Sequence, residues 1–280
     1  MHRIDLGAPI TSRTNARVKA LRSALNGRAR KPGEYVGIEG ATLILEALRS
    51  GLPLDTVFVR EGSEGALDPR AWQGAEAEAW VILSKDVFDS AVETETPQGI
   101  AATLAIPAAL ALPERVGTVL LLENVQDPGN VGTLIRSAEA FGASAVFLTN
   151  DCANAWSPKV LRASAGSVFR VPMLRASLGE LTITLREHGC RLLGAVAHGN
   201  GVVAVQEADL TRACAVLIGN EGAGLSQQAI SACDGGITIP CEIESLNAAV
   251  AGSTILYEAL RQRLEPKAAS KPPSKWGNGR

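Results

Sequence analysis

The sequence has few aromatic residues, few histidines and no long apolar run. Aromatic residues make up 4% of the 280 residues, and the three histidines have no metal-ligand spacing. The five cysteines are scattered without a CxxC pair, as is typical of reduced thiols in the cytoplasm. No apolar run approaches the ~20 residues of a membrane span, and the N-terminus lacks a signal-peptide core. We therefore expect a cytoplasmic protein without a metal centre and without membrane association.

Charge is distributed unevenly, although the formal net charge is only −2. Residues 1–50 contain nine Lys or Arg and four Asp or Glu, whereas residues 51–110 contain three and ten. The basic N-terminal residues are either an ordinary solvated helix face or a surface that contacts nucleic-acid phosphates. The candidate phosphate contacts are Arg17, Lys19, Arg22, Arg28, Arg30 and Lys31.

The order of predicted elements divides the chain into two α/β domains. Residues 1–106 predict a small domain in which strands and helices alternate, and the Pro-containing segment 107–117 predicts a linker. Residues 118–265 alternate apolar runs with helical patterns, which is typical of a parallel sheet covered by helices. Within them we predict a helix over 131–141 capped by Asn130, a strand near 169–172 and a last helix over 246–264. Residues 266–280 predict a disordered basic tail.

Three segments of the C-terminal half are most informative. Residues 122–136 read LENVQDPGNVGTLIR, residues 217–226 read LIGNEGAGLS and residues 239–247 read IPCEIESLN. Each begins on an apolar run, turns on Gly, Pro, Asn or Ser, and continues into a helical pattern. Parallel α/β sheets bind ligands at the carboxyl ends of their strands, and such turns place backbone N–H groups there.

The polar residues of these segments have both structural and chemical interpretations. Asn130 with Arg136 is either a helix cap with a surface arginine or a pair bordering one cleft. Glu221 lies in a Gly-rich turn and, as a carboxylate after a buried strand, requires a partner. Ser245 and Asn247 precede the last helix, where helix capping is their ordinary role. The Gly-rich turn lacks the Lys-Ser/Thr of a P-loop and does not fit a dinucleotide fingerprint.

Taken in order, the three segments resemble the motifs of the SPOUT superfamily, specifically the SpoU/TrmH-type RNA ribose 2′-O-methyltransferases. This resemblance implies a C-terminal domain with a deep trefoil knot that binds S-adenosylmethionine. The last helix begins with small residues, which allow close approach of a ligand or of another helix: Ala248, Ala249, Ala251, Gly252 and Ser253. We therefore expect a homodimer through the second domain that involves this small-residue face. Residues 1–106 resemble the L30e-like substrate-binding domain of many members through residues 15–19 (NARVK), 38–40 (IEG) and 96–99 (TPQG).

The resemblance also implies roles for individual residues. The implied catalytic residues are Asn130, Arg136, Glu221 and Ser245. The implied cofactor contacts are Leu217, Gly219, Ile239, Leu246 and Asn247. The sequence departs from the family in one place, because only four residues, 241–244, separate Pro240 from Ser245. We therefore expect a reshaped cofactor loop.

The implied reaction is in-line attack of a ribose 2′-hydroxyl on the sulfonium methyl group of the cofactor. Because arginine stays charged in proteins, we expect Arg136 to bind the phosphate of the target nucleotide as a cation. Glu221 and Asn130 are expected to orient Arg136, and Ser245 to relay the proton. Ribosomal RNA, and 23S rRNA in particular, is the favoured substrate because a separate N-terminal domain suits a large structured target. The alternatives are a tRNA methyltransferase and a non-catalytic RNA-binding protein with the same fold.

Overall fold

The computed structural model describes residues 7–66, 77–92, 94 and 96–264. The predicted tail, residues 266–280, lies outside these residues. Within the described part of the chain, no helix combines the length and apolar character required to cross a membrane.

The N-terminal part forms a four-stranded sheet with helices on both faces. Its strands are β1 (Tyr35–Glu39), β2 (Leu54–Arg60), β3 (Ala77–Leu83) and β4 (Ile100–Ala105), in the order β1-β4-β2-β3. Strands β2 and β3 run parallel, whereas β4 is antiparallel to both β1 and β2. The helices are α1 (Ala16–Leu25), α2 (Ala41–Arg49) and α3 (Lys85–Asp89). A buried apolar face on α1 and another on α2 hold these helices against the sheet.

The C-terminal part is built on a seven-stranded parallel sheet. Its strands are β5 (Thr118–Leu122), β6 (Ala145–Thr149), β7 (Met173–Ala176), β8 (Arg191–Ala195), β9 (Val202–Ala204), β10 (Cys214–Ile218) and β11 (Gly235–Thr238). Their order is β7-β6-β5-β10-β8-β11-β9, and every neighbouring pair is parallel. Strands β5, β6 and β10 are buried along their whole length, which explains their unbroken apolar runs.

Five helices cover this sheet: α4 (Pro128–Ala140), α5 (Pro158–Ala163), α6 (Leu178–Glu187), α7 (Gln227–Ala232) and α8 (Ala248–Leu264). Buried residues of α4, α5 and α8 belong to one apolar cluster with the sheet, and those of α6 and α7 belong to another. The predicted parallel α/β architecture is therefore confirmed. Helices α4 and α8 pack so closely that a side chain at Gly252 would overlap Leu134.

Two local predictions were wrong. The strand expected near 169–172 is a 3₁₀ turn, Ser167–Phe169, and the strand follows it as β7. The turn follows two residues with positive φ, Ala165 and Gly166, which end α5 in a left-handed conformation. Helix α4 begins at Pro128 and not at Val131, so its cap is Asp127 and not Asn130. The Asp127 side chain accepts from Asn130 N at 2.8 Å, and Pro128 suits the first helical position because it needs no N–H partner.

No helix or strand occupies residues 107–117, the segment predicted as a linker. The two parts of the chain nevertheless pack on each other, because one apolar cluster includes residues of both. Polar bonds cross the same junction. Arg170 donates to Glu46 at 2.9 Å and Ser50 at 3.0 Å, and Asn154 Nδ2 donates to the carbonyls of Gly27 and Ala29.

Candidate functional site

The Gly-rich loop after β10 is closed by its own hydrogen bonds. Asn220 and Gly224 exchange backbone hydrogen bonds of 3.0 and 2.9 Å, and Asn220 Oδ1 accepts from Gly222 N and Ala223 N. Asn220 Nδ2 donates to the carbonyl of Asn124, which ties the loop to the end of β5. Glycine is required at position 219, because a Cβ there would overlap the backbone of Gly224 and Leu225. The loop is therefore a fixed structure at the carboxyl edge of the sheet.

Glu221 is held by groups at the start of α4. Its Oε1 atom accepts from Asn130 Nδ2 at 2.9 Å and from Asp127 N at 3.3 Å. Burial raises the pKa of Glu221, but the hydrogen bonds from Asn130 and nearby backbone N–H groups outweigh it and lower the pKa below its usual value. Glu221 therefore carries its negative charge at neutral pH.

Asn247 joins this pair from the third segment. Its Nδ2 donates to Asn130 Oδ1 at 3.1 Å, while its Oδ1 accepts from Ala249 N and Val250 N and so caps α8. The amide of Asn130 thus connects Glu221 to Asn247. We call Asn130, Glu221 and Asn247 the amide–carboxylate cluster. It brings together one residue from each of the three sequence segments.

Arg136 does not join this cluster. It lies six residues after Asn130 on α4, about 9 Å further along the helix axis. Its side chain is exposed and makes no hydrogen bond or ion pair with the described part of the chain. Asn130 binds Glu221 and not Arg136, and the expectation that Glu221 and Asn130 orient Arg136 stays a prediction. The guanidinium is accordingly available to a ligand from outside the protomer.

A cleft of about 680 Å³ opens beside the Gly-rich loop, and we call it the large cleft. Its walls are the ends of β8 and β11, the loop after β10, residues 239–246 and the first turns of α8. The predicted residues that line it are Gly219, Glu221, Ile239, Ser245 and Leu246. Leu217 is fully buried inside β10, and its side chain lies beneath the loop rather than in the cleft. Asn130, Arg136 and Asn247 are not among the lining residues.

The short segment 241–244 forms an exposed wall of the large cleft. Cys241, Ile243 and Glu244 line the cleft, and Ile243 keeps 62% of its surface exposed. An apolar side chain exposed in the wall of a cleft is available to pack against a bound ligand.

Sequence reasoning missed Glu123, which anchors the exit of the Gly-rich loop. Glu123 is buried directly after β5, and its two carboxylate oxygens accept from Ser226 N at 2.8 Å and Ser226 Oγ at 2.5 Å. Its own N–H donates to the carbonyl of Ile218. A carboxylate directly after a fully apolar strand was the available signal, because a buried charge requires partners.

The six basic residues predicted to contact phosphates are all exposed. Arg17, Lys19 and Arg22 lie on α1, and the other three lie in the turn that precedes β1. None of the six forms an ion pair with a residue that the structure describes. They therefore present unneutralised positive charge to solvent.

The fold and the large cleft define an α/β protein with a ligand-sized cleft at the carboxyl edge of a parallel sheet. Residues 117–257 match the model of the SpoU rRNA methylase family, and residues 15–102 match that of the MRM3-like substrate-binding domain. The chain therefore belongs to the SpoU rRNA methylase family, as the sequence resemblance predicted. It is an S-adenosylmethionine-dependent RNA methyltransferase.

Relatives and solved structures agree with this assignment. The chain is 35% identical to the 23S rRNA (guanosine(2553)-2′-O)-methyltransferase RlmP of Bacillus subtilis, over 89% of this chain and 97% of that protein. It is 32% identical to the 23S rRNA (uridine(2479)-2′-O)-methyltransferase of Streptomyces viridochromogenes, over 94% and 95%. The crystal structure of the SpoU methyltransferase AviRb from that organism, in complex with S-adenosylmethionine, superimposes with a TM-score of 0.79. The two chains are 31% identical, and the superposition covers 90% of this chain and 100% of the AviRb chain.

The large cleft fits S-adenosylmethionine. Its volume lies within the ~300–1,000 Å³ that is usual for ligands of this size. A glycine-rich wall leaves open space, because a Cβ at Gly224 would meet no atom within 4 Å and one at Gly222 only Asn220 Oδ1 at 3.7 Å. The opposite wall offers apolar side chains from Ile239 and Leu246. Backbone polar groups and apolar side chains are what a ligand with a nucleoside and an amino-acid part requires.

Proposed function

We propose that this protein methylates a ribose 2′-hydroxyl of 23S rRNA. The observation that carries the proposal is the amide–carboxylate cluster at the rim of a cleft that fits S-adenosylmethionine. The two relatives described above are named as 23S rRNA 2′-O-methyltransferases, which favours 23S rRNA over tRNA. The non-catalytic alternative is disfavoured because the cluster is fully assembled, with Glu221 charged and in contact with Asn130.

S-adenosylmethionine supplies an electrophilic methyl group on a sulfonium centre, and the residues of the chain position it. We assign Gly219, Ile239 and Leu246 to direct contact, because all three line the large cleft. Leu217 supports the loop from inside β10, and only its backbone is placed to contribute. Asn247 acts on the cofactor site through the cap of α8, since its side chain contacts Asn130 and the helix N-terminus.

The catalytic roles follow from charge and exposure. Arg136 binds a phosphate of the target nucleotide, because its exposed, permanently charged guanidinium has no partner in the described chain. This cation favours ionisation of the nearby 2′-hydroxyl. Ser245 Oγ, exposed in the wall of the large cleft, accepts the hydroxyl proton in a hydrogen bond and relays it to solvent. Glu221 and Asn130 hold the loop and α4 at a fixed separation, so that nucleophile and methyl group align.

We also propose a homodimer that uses the outer face of α8. Val250, Tyr257 and Leu264 are spaced by seven residues on this helix and are 51%, 55% and 71% exposed. Apolar residues at this spacing share one helix face and are typical of a helix–helix interface. The small residues expected to form the contact pack inside the protomer instead, since Ala248, Ala249 and Gly252 are buried. The outer face is therefore the part of α8 that remains available.

The N-terminal domain, taken as residues 1–106, binds RNA in this proposal, and residues 118–265 carry the chemistry. The support is that the six exposed basic residues belong to the first part and all proposed catalytic residues to the second. We place the protein in the cytoplasm, where ribosomal RNA is found and where thiols stay reduced. The five cysteines are all free.

The experiment that tests the site compares two substitutions on the same helix. Arg136→Ala removes the proposed phosphate contact, whereas Thr133→Ala changes an exposed residue one turn earlier on α4. We expect Arg136→Ala to lower methyl transfer to 23S rRNA by about 10²–10³-fold, the usual effect of removing one group that stabilises transition-state charge. Calorimetric affinity for S-adenosylmethionine should stay near normal in both variants. Normal turnover by Arg136→Ala would contradict the assignment.

A further inference from the structure

A second cavity, of about 240 Å³, lies between the turn before β1, the connecting segment and the second sheet. We call it the small cavity. It is lined by the turn before β1, by residues 106–110, by the loop after β6 and by β7. No residue of the amide–carboxylate cluster or of the large cleft contributes to it. The small cavity is therefore separate from the cofactor site.

The charge of the small cavity is exclusively positive. Arg30 and Arg175 line it, and no Asp or Glu does. The Arg175 guanidinium donates to the carbonyls of Asn150 at 2.9 Å, Cys152 at 3.1 Å and Ala153 at 2.6 Å, and it has no carboxylate partner in the described chain. Burial lowers the pKa of Arg175 and repulsion from Arg30 acts in the same direction, whereas Cys152 and Asp151 act in the opposite direction. A partly buried cation beside a second cation favours an anionic ligand.

The remaining lining is apolar and includes an aromatic wall. Trp156 is half-buried in this wall, and its ring lies 6.2 Å from the ring of Phe169. The volume falls below that of sites for drug-sized ligands, and a single planar base is of suitable size. Proteins that recognise single-stranded RNA hold unstacked bases against aromatic side chains in this way.

The small cavity also lies on the catalytic edge of the second sheet. It is lined by Leu148 of β6, by residues that follow β6 and by Met173–Arg175 of β7, and Glu221 follows β10. All these strands are parallel, so their carboxyl ends share one edge. Three strand spacings separate β7 from β10, about 15 Å. A short stretch of RNA can span this distance.

We propose that the small cavity binds one unstacked nucleobase of the RNA substrate, a few nucleotides from the methylated ribose, while Arg30 contacts its phosphate. The proposal rests on the proposed function, because it presupposes an RNA substrate at the catalytic edge. It assigns recognition of the substrate to the junction between the connecting segment and the second sheet, in addition to the basic surface of α1.

The test places a Trp side chain in the small cavity. The control places the same side chain at a nearby exposed position outside the cavity. Ala109 lines the cavity and is exposed, whereas Ala111 is exposed in the same segment and does not line it. Ala109→Trp is therefore compared with Ala111→Trp, and thermal unfolding verifies that both variants fold. The probes are a short single-stranded RNA and the same RNA with abasic sites in place of its bases.

We expect the wild type and Ala111→Trp to bind the intact RNA about tenfold more tightly than the abasic RNA, the order of one base stacked on an aromatic side chain. Ala109→Trp should bind the intact RNA about tenfold more weakly and lose the dependence on bases. Equal binding of the two RNAs by the wild type, or equal binding of the intact RNA by the two variants, would overturn the proposal.

Methyl transfer to 23S rRNA by the wild type, measured in parallel, separates the two proposals. If transfer occurs and Ala109→Trp binds RNA normally, only the base site fails. If no transfer occurs and no RNA is bound, the proposed function fails and the base site fails with it.

Discussion

Asn130 Nδ2 lies 2.9 Å from Glu221 Oε1, and this hydrogen bond joins residues that are 91 positions apart in the chain. It bridges the start of α4 and the Gly-rich loop after β10. Because β5 and β10 are neighbours in the sheet, the segments that follow them meet at the same edge. The contact lowers the pKa of Glu221 and ties the Gly-rich loop to α4.

Replacement of Asn130 should change the pH dependence of methyl transfer. The Asn130 amide is the hydrogen bond that lowers the pKa of Glu221 most, so Asn130→Ala should raise this pKa. Because we expect the ionised form of Glu221 to be the active one, the acid limb of the pH–rate profile should move to higher pH. The rate should also fall at every pH, because the contact that aligns α4 with the loop is lost. Thr133→Ala is the control on the same helix. An unchanged acid limb in Asn130→Ala would show that Glu221 ionisation does not limit the reaction.

The same bond contributes to stability in acid. Because the folded-state pKa of Glu221 is depressed, its stabilising contribution is present above the unfolded-state pKa and is lost as pH falls through the folded-state value. The free energy of unfolding, measured with urea, should therefore fall more in acid for the wild type than for Asn130→Ala. Equal acid sensitivity of the two proteins would contradict this linkage.

Gly219→Ala should abolish cofactor binding. A Cβ at this position overlaps the backbone of Gly224 and Leu225, and backbone cannot give way without opening the loop. Gly222→Ala is the matched control, because its Cβ would meet only Asn220 Oδ1 at 3.7 Å. Calorimetry with S-adenosylmethionine measures both. If Gly219→Ala binds as tightly as Gly222→Ala, the loop is not the rigid element described above.

Glu123→Ala should destabilise the protein by about 1–3 kcal/mol, because it leaves the Ser226 N–H without its acceptor in a partly buried position. Glu123→Gln retains one acceptor oxygen and should cost less. Urea unfolding gives the free energies, and S-adenosylmethionine affinity should fall in the same order because the loop exit becomes mobile. A loss of stability without a loss of affinity would limit Glu123 to a role in folding.

Introducing a negative charge on the outer face of α8 should dissociate the proposed homodimer. Tyr257→Asp places a carboxylate among exposed apolar residues, where burial in an interface is costly. Ile183→Asp is the matched control, because Ile183 is 60% exposed on α6, away from that face. Sedimentation should show a dimer for the wild type and Ile183→Asp, and a monomer for Tyr257→Asp. A monomeric, fully active wild type would rule the dimer out.

Loss of basic residues on α1 should weaken RNA binding and reduce its dependence on salt. Arg17 and Lys19 are exposed and unpaired among the described residues, so their phosphate contacts would release counterions. The double substitution to Ala should reduce the slope of log affinity against log salt by about one to two. Arg49→Ala is the control, because Arg49 is exposed but paired with Glu46. An unchanged slope would place the phosphate contacts elsewhere.

The alternation of apolar runs with helical patterns predicted the parallel sheet well, because strands that are buried on both faces have unbroken apolar runs. Thr118–Leu122 and Cys214–Ile218 are such strands. Helix boundaries were less predictable where caps compete. Asp127 and Asn130 are both good caps, and Pro128 at the first helical position decided for Asp127. Strand β9 (Val202–Ala204) was not predicted, because three residues between turns carry too little pattern.

The candidate site was predictable in its residues and not in its bonds. The resemblance named Asn130, Glu221 and Asn247, but the order of strands in space determines that they touch. That order is not a local property, since β10 inserts between β5 and β8. For the same reason the sequence did not predict that Asn130 binds Glu221 and not Arg136. The trefoil knot remains a prediction, as do the roles of the individual residues.

The most direct test of the central claim is to incubate the purified protein with S-adenosylmethionine and unmodified 23S rRNA and to map ribose 2′-O-methyl groups. We predict one new 2′-O-methyl mark at a single nucleotide, present with the wild type and absent with Arg136→Ala. Methylation of a base, methylation of tRNA alone, or no transfer to any RNA would contradict the account.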